Sequence, residues 1–212
     1  MAQHLSIEEI FLTLLRSLKR ARSPVEETRL RALYKEQRYT EMVGVVREAL
    51  NIPIGLRVGY VNSGGDERNP AWIILPNPMP IFGGSEFKRL EVTMFIRRSF
   101  IAMAPFETIV IAMAHELCHI ILSGTRHPLC HEERAVDITA MLLGFAELYE
   151  QGTTFIVRRP TTPVVRPTVK NLGEKLREII DAARGKRGHV GYLQPDEVRK
   201  MAQAVRIARA TP

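Results

Sequence analysis

Three observations make this 212-residue chain an expected α+β protein. Apolar residues recur at helical spacing near both ends, three short strand-like stretches sit between turn residues in the middle, and a run from Ile109 to Leu122 is apolar on nearly every side. The expected architecture is a small, mostly antiparallel sheet packed on core helices, with helical N-terminal and C-terminal segments. A hydrophobic share of 45% against 25% charged residues suffices for one sizeable core. It excludes a disordered tail, a collagen-like repeat and a disulfide mini-scaffold.

Ser6-Ile-Glu-Glu9 has the capping-box pattern, and Ile10, Leu14 and Leu18 follow at helical spacing, which predicts a first helix of about four turns. Ser23-Pro-Val-Glu26 repeats the signal with proline at the first helical position. A second helix is expected to begin there, and the apolar pattern resumes through Met42, Val46 and Leu50 until Asn51 and Pro53 end this helical part. Strand character marks Leu56 to Val61, Trp72 to Leu75 and Glu91 to Ile96, separated by Asn62-Ser-Gly-Gly-Asp66, Pro76-Asn-Pro78 and Gly83-Gly-Ser85. Pro105 and Glu107 open a core helix that stops at Gly124, and another helix is expected from Glu132 to Glu150, ended by Gln151-Gly152.

Residues 158–170 hold three prolines and three arginines, the composition of an extended crossing. The expected organisation is therefore a main domain over 1–157, a Pro/Arg-rich linker over 158–170, and a basic helical tail over 171–212, for which packing on the main domain and folding alone are both open. In the tail, helices are expected near Leu172 to Arg184 and from Pro195 to Arg209.

Thirty Lys and Arg against 23 Asp and Glu give a net charge of +7. The excess is local: residues 1–150 carry 17 basic and 18 acidic side chains, and residues 151–212 carry 13 and 5. Phosphate binding, if there is any, therefore belongs to the tail. Cys118 and Cys130 form no C-x-x-C pair, and the first residues lack a cationic stretch followed by an apolar one. A cytoplasmic location is expected. Since His115, Glu116 and His119 interrupt the Ile109–Leu122 run, it reads as a core helix and no membrane contact is expected.

His115-Glu-Leu-Cys-His119 is an H-E-x-x-H motif inside that helix. Histidines four apart lie one turn above each other on one face, so their imidazoles can converge on a metal ion, with Glu116 beside it to polarise a bound water. With six His and 19 Glu, a shuffled chain gives this pattern roughly 0.015 times. The bland alternative is a pair of hydrogen-bonded core histidines.

A catalytic zinc site takes three protein ligands and leaves a position for water. A metzincin continuation would need Gly at position 122 and His at position 125, where this chain has Leu122 and Thr125. An acidic ligand on the next helix remains. Glu133 and Asp137 share a face with Ala140 and Gly144, small residues that allow close helix approach. Glu133 is the expected third ligand and Asp137 the acceptor for the free N–H of a ligating histidine. Glu132 competes with Glu133, pointing about 100° away around the helix. A closed Cys2His2 site made with Cys118 and Cys130 is a further alternative; His127 and His131 read as loop residues.

The motif followed by Glu133-x-x-x-Asp137 resembles the gluzincin class of zinc metallopeptidases, most closely the compact ImmA/IrrE-type members, over residues 50–150. The resemblance implies a zincin-like fold and hydrolysis of peptide bonds in a protein or peptide substrate. Zn2+ would be held by His115, His119 and Glu133, with Glu116 as general base. It also implies that an edge strand, here Glu91 to Ile96, pairs with extended substrate. His189 and Tyr192 are candidate transition-state donors if the tail folds back over the cleft. A rival from another class is a nucleic-acid-associated regulator with a structural or sensory zinc site. Its phosphate contacts would be Arg158, Arg159, Arg166, Lys170, Arg184, Lys186 and Arg187.

Overall fold

A computed structural model describes residues 5–63, 69–156, 187–189 and 191–211, with backbone alone at 155–156 and 187–189. The chain is α+β: several helices accompany a small mixed sheet of three strands. The expected linker over 158–170 and the helix near Leu172 to Arg184 lie outside the described residues.

Helix α1 (Ile7–Leu18) starts on the capping box read from the sequence. The Glu9 N–H donates to Ser6 Oγ at 3.2 Å, and the Ser6 N–H donates to Glu9 Oε2 at 2.7 Å. It buries Ile7, Ile10, Phe11 and Leu14 and ends at left-handed Lys19, after about three turns rather than four.

The second helix departs from expectation. The Arg22 N–H donates to the Leu142 carbonyl at 2.8 Å and the Val25 N–H to the Gly144 carbonyl at 2.9 Å, so the stretch around Ser23-Pro24 is held outside a helix by a distant element. Helix α2 (Thr28–Lys35) begins beyond it, and left-handed Gln37 separates α2 from α3 (Tyr39–Ala49). The expected helical part is therefore two helices, and its start moves from Ser23-Pro24 to Thr28.

Strands β1 (Gly55–Val61), β2 (Ala71–Ile74) and β3 (Glu91–Arg97) fall within a residue of the expected positions. Their order is β1-β3-β2, with β3 parallel to β1 over seven residue pairs and antiparallel to β2 over four. The expectation of a mostly antiparallel sheet is thus corrected to a mixed one. The sheet places β3 between its sequence predecessors, a neighbour choice that strand patterning does not encode. Val92, Met94 and Ile96 alternate inward from β3. Two short helices without a counterpart among the sequence expectations, α4 (Ser85–Lys88) and α5 (Arg98–Met103), flank β3.

Helix α6 (Phe106–Gly124) is the core element and packs against α3, β2 and the next two α-helices. By length and composition it could cross a membrane, but 78% of its most apolar window is buried inside the fold. Each fully buried Ile or Leu along it contributes about 1.5–3 kcal/mol.

The expected helix from Glu132 to Glu150 is α7 (Glu133–Ala140), a π-type turn (Met141–Phe145) and α8 (Ala146–Gly152). The break is at Gly144, whose φ of 112° is outside helical space. A backbone ribbon of β4 (Thr154–Ile156) and β5 (Arg187–His189) follows. The last helix, α9 (Pro195–Ala210), packs on α8 and the π turn, burying Val198, Met201, Ala202 and Val205. Arg206 pairs with Glu150 at 2.7 Å, Arg209 with Glu147 at 2.5 Å, and Lys200 with Glu8.

Candidate metal centre

Helices α6 and α7 bring three of the expected residues together. One ligand atom from each of His115, His119 and Glu133 lies within 4.8 Å of the others. Glu133 Oε2 is 3.2 Å from His115 Nε2 and 3.4 Å from His119 Nε2. Those distances permit ion pairing, yet the angles are not those of a hydrogen bond, and Oε2 is buried without a hydrogen-bond partner. A buried carboxylate oxygen left in that condition is costly. Two imidazole nitrogens and one carboxylate oxygen converging in this way fit a divalent transition-metal ion.

Glu132 does not join them. It is the N-cap of α7, and its side chain accepts from the Arg134 N–H. Neither cysteine belongs to a ligand cluster among the described residues. Cys118 is fully buried, and burial pushes its thiol pKa up, away from the thiolate a metal would need. His127 is held by Ser17 Oγ, 3.0 Å from its Nε2, and by the Leu129 N–H; His131 lines the cleft beside His119.

Asp137 is fully buried directly behind His115. Its Oδ1 lies 2.8 Å from His115 Nδ1 and accepts the Tyr149 hydroxyl at 2.9 Å. Its Oδ2 accepts the N–H groups of Tyr192 at 2.6 Å and Leu193 at 3.3 Å. Both Asp137 oxygens are used as acceptors, so Nδ1 is the donor to Oδ1 and Nε2 is turned towards Glu133. Sequence patterning does not single out Tyr149; a tyrosine inside an apolar helix needs a buried acceptor, and that is the available signal.

Charge at the site is shaped by burial and by these contacts. Burial opposes a charged His115, but Asp137 and then Glu133 outweigh it and push the imidazolium pKa up to about 10. Burial likewise opposes a charged Glu133, and the two histidines outweigh it, holding the carboxyl at about 2. For Glu116 burial prevails: its pKa is raised despite the neighbouring histidines.

A cleft of about 720 Å³ runs past Glu116, His119 and Glu133, bounded by Ile73, Pro76 and Met79. A smaller cavity of about 100 Å³ continues it between Trp72 on β2 and Tyr192 on the tail. Tyr192 stacks on His115 with ring centroids 5.6 Å apart. Of the two expected donors, Tyr192 thus stands at the site; His189 pairs with Thr154 in the backbone ribbon, and its side chain lies outside the described residues. The substrate-pairing strand is corrected as well. β3 is paired on both sides, and the edge strand beside the cleft is β2. A larger open groove of about 1210 Å³ near Tyr34, Tyr39 and Tyr60 carries no such ligand cluster among the described residues.

Compared with family models, curated proteins and solved structures, the chain matches none of them.

Proposed function

We propose that the protein is a zinc-dependent metallopeptidase of zincin-like architecture that hydrolyses a peptide bond in a protein or peptide substrate. The observation that carries this reading is the convergence of His115, His119 and Glu133 around a buried carboxylate oxygen without a hydrogen bond. His115, His119 and Glu133 would hold Zn2+, which when bound supplies Lewis acidity towards a water and a carbonyl oxygen.

The remaining work belongs to the chain. Glu116 lies at the cleft with its carboxylate pKa raised by burial, which suits a group that accepts a proton from water and returns it to a leaving amine. Asp137 keeps the His115 proton on Nδ1. The edge of β2 offers backbone groups to an extended chain, and the rings of Trp72 and Tyr192 bound the space beside it.

The nucleic-acid reading draws no comparable support. Lys200, Arg206 and Arg209 of the tail are paired with acidic residues of the main body. Arg158, Arg159, Arg166, Lys170, Arg184 and Lys186 lie outside the described residues, as does the side chain of Arg187.

The test is zinc content and peptide cleavage in the parent, His115→Ala and Glu116→Gln proteins. Glu116→Gln should retain zinc and lose activity by about 10²-fold or more. Undiminished zinc in His115→Ala would remove the site assignment.

A further inference from the structure

We infer that the tail segment Gly191–Leu193 is a positioning strap for the candidate metal ligand His115, and that docking of α9 keeps it in place. This rests on the metal-site reading above. The strap reaches the site through backbone groups: the N–H groups of Tyr192 and Leu193 both donate to Asp137 Oδ2, whose partner oxygen holds His115 Nδ1. A motif in α6 is therefore braced by residues more than seventy positions further along the chain.

Local conformation fits the task. Gly191 has φ of 94°, and a Cβ placed there would lie 3.1 Å from Asp137 Oδ2. Glycine both turns the chain and lets its backbone come up against the carboxylate. Leu193, two residues on, is fully buried, and the Gln194 N–H donates to Glu197 Oε2 at 2.8 Å where α9 starts. α9 is then fixed by its apolar face and by the Arg206–Glu150 and Arg209–Glu147 pairs. The strap thus has a rigid anchor on its C-terminal side, away from the metal ligands.

A merely structural tail would add stability without selectively altering metal affinity. A positioning strap makes affinity depend on the tail, because the orientation and basicity of a ligating imidazole follow from the group behind it. Zinc affinity is measured by competition with a chromophoric chelator, in the full chain, for four proteins: the parent, Gly191→Ala, Arg206→Glu/Arg209→Glu, and that double variant combined with Glu147→Arg/Glu150→Arg. Hydrogen exchange at the Tyr192 and Leu193 amides is followed alongside.

Gly191→Ala and the double charge reversal should each weaken zinc binding about tenfold or more and speed exchange at both amides. The charge-swapped protein should recover parental affinity. Parental affinity in Gly191→Ala, or a loss in the charge reversal that the swap fails to restore, overturns the strap and leaves the metal site standing. A parent that binds no zinc removes the reading beneath it.

Discussion

Asp137 grips His115 by one edge of its ring: Oδ1 lies 2.8 Å from Nδ1, across 22 positions of sequence, so that Nε2 faces Glu133. Four donors meet on the one buried carboxylate, from His115, Tyr149, Tyr192 and Leu193. α6, α8 and the tail are therefore joined at a single side chain of α7.

Asp137→Asn tests that junction. An amide keeps the shape but presents NH2 where one carboxylate oxygen accepted, so it must oppose either the His115 and Tyr149 donors or the two strap N–H groups. Zinc affinity should fall about 10- to 100-fold. Stability should fall by about 3–5 kcal/mol, as for loss of one partner from a buried charged pair. Chelator competition reads the first and urea unfolding of the zinc-free protein the second; parental values in both would show that Asp137 does not brace the site.

The convergence of His115, His119 and Glu133 was legible in the sequence because helical spacing is local information. His115 and His119 are four apart on α6, and Glu133 and Asp137 four apart on α7, so each pair faces one way regardless of the rest of the fold. What could not be read depends on distant partners. Ser23-Pro24 carries a good helix-start signal, yet Leu142 and Gly144 take the nearby backbone N–H groups. The position of β3 in the sheet, the path of the tail over Asp137 and the role of Tyr149 likewise arise from contacts between segments far apart in the chain.

The zinc-free protein should lose stability as pH rises. Burial disfavours the His115 imidazolium, but Asp137 and Glu133 outweigh it and raise the folded-state pKa to about 10 from 6.5. A raised pKa contributes its full stability below the unfolded value and loses it between about 6.5 and about 10. A zinc ion held by His115, as proposed, would displace this proton, so zinc affinity should increase over the same window. Urea unfolding in chelator at about pH 6 and about pH 9, on either side of most of that window, checks the first statement. His115→Gln should flatten the dependence, and an unchanged slope in that variant would assign it to another group.

Gly144→Ala tests how α7 is set in place. Gly144 has φ of 112°, and an added Cβ would stand 2.6 Å from the Ser23 carbonyl oxygen, so the substitution meets both backbone strain and a clash with main chain. Its carbonyl also accepts the Val25 N–H, which ties the connection between α1 and α2 to the π turn. Relief would require that connection to move away or the turn between α7 and α8 to rewind. A loss of about 2–4 kcal/mol is expected, measured by urea unfolding of the zinc-free protein. Because α7 carries Glu133 and Asp137 on the N-terminal side of this turn, zinc affinity should weaken as well. A variant with parental stability would show that the left-handed geometry at Gly144 is not required for the fold.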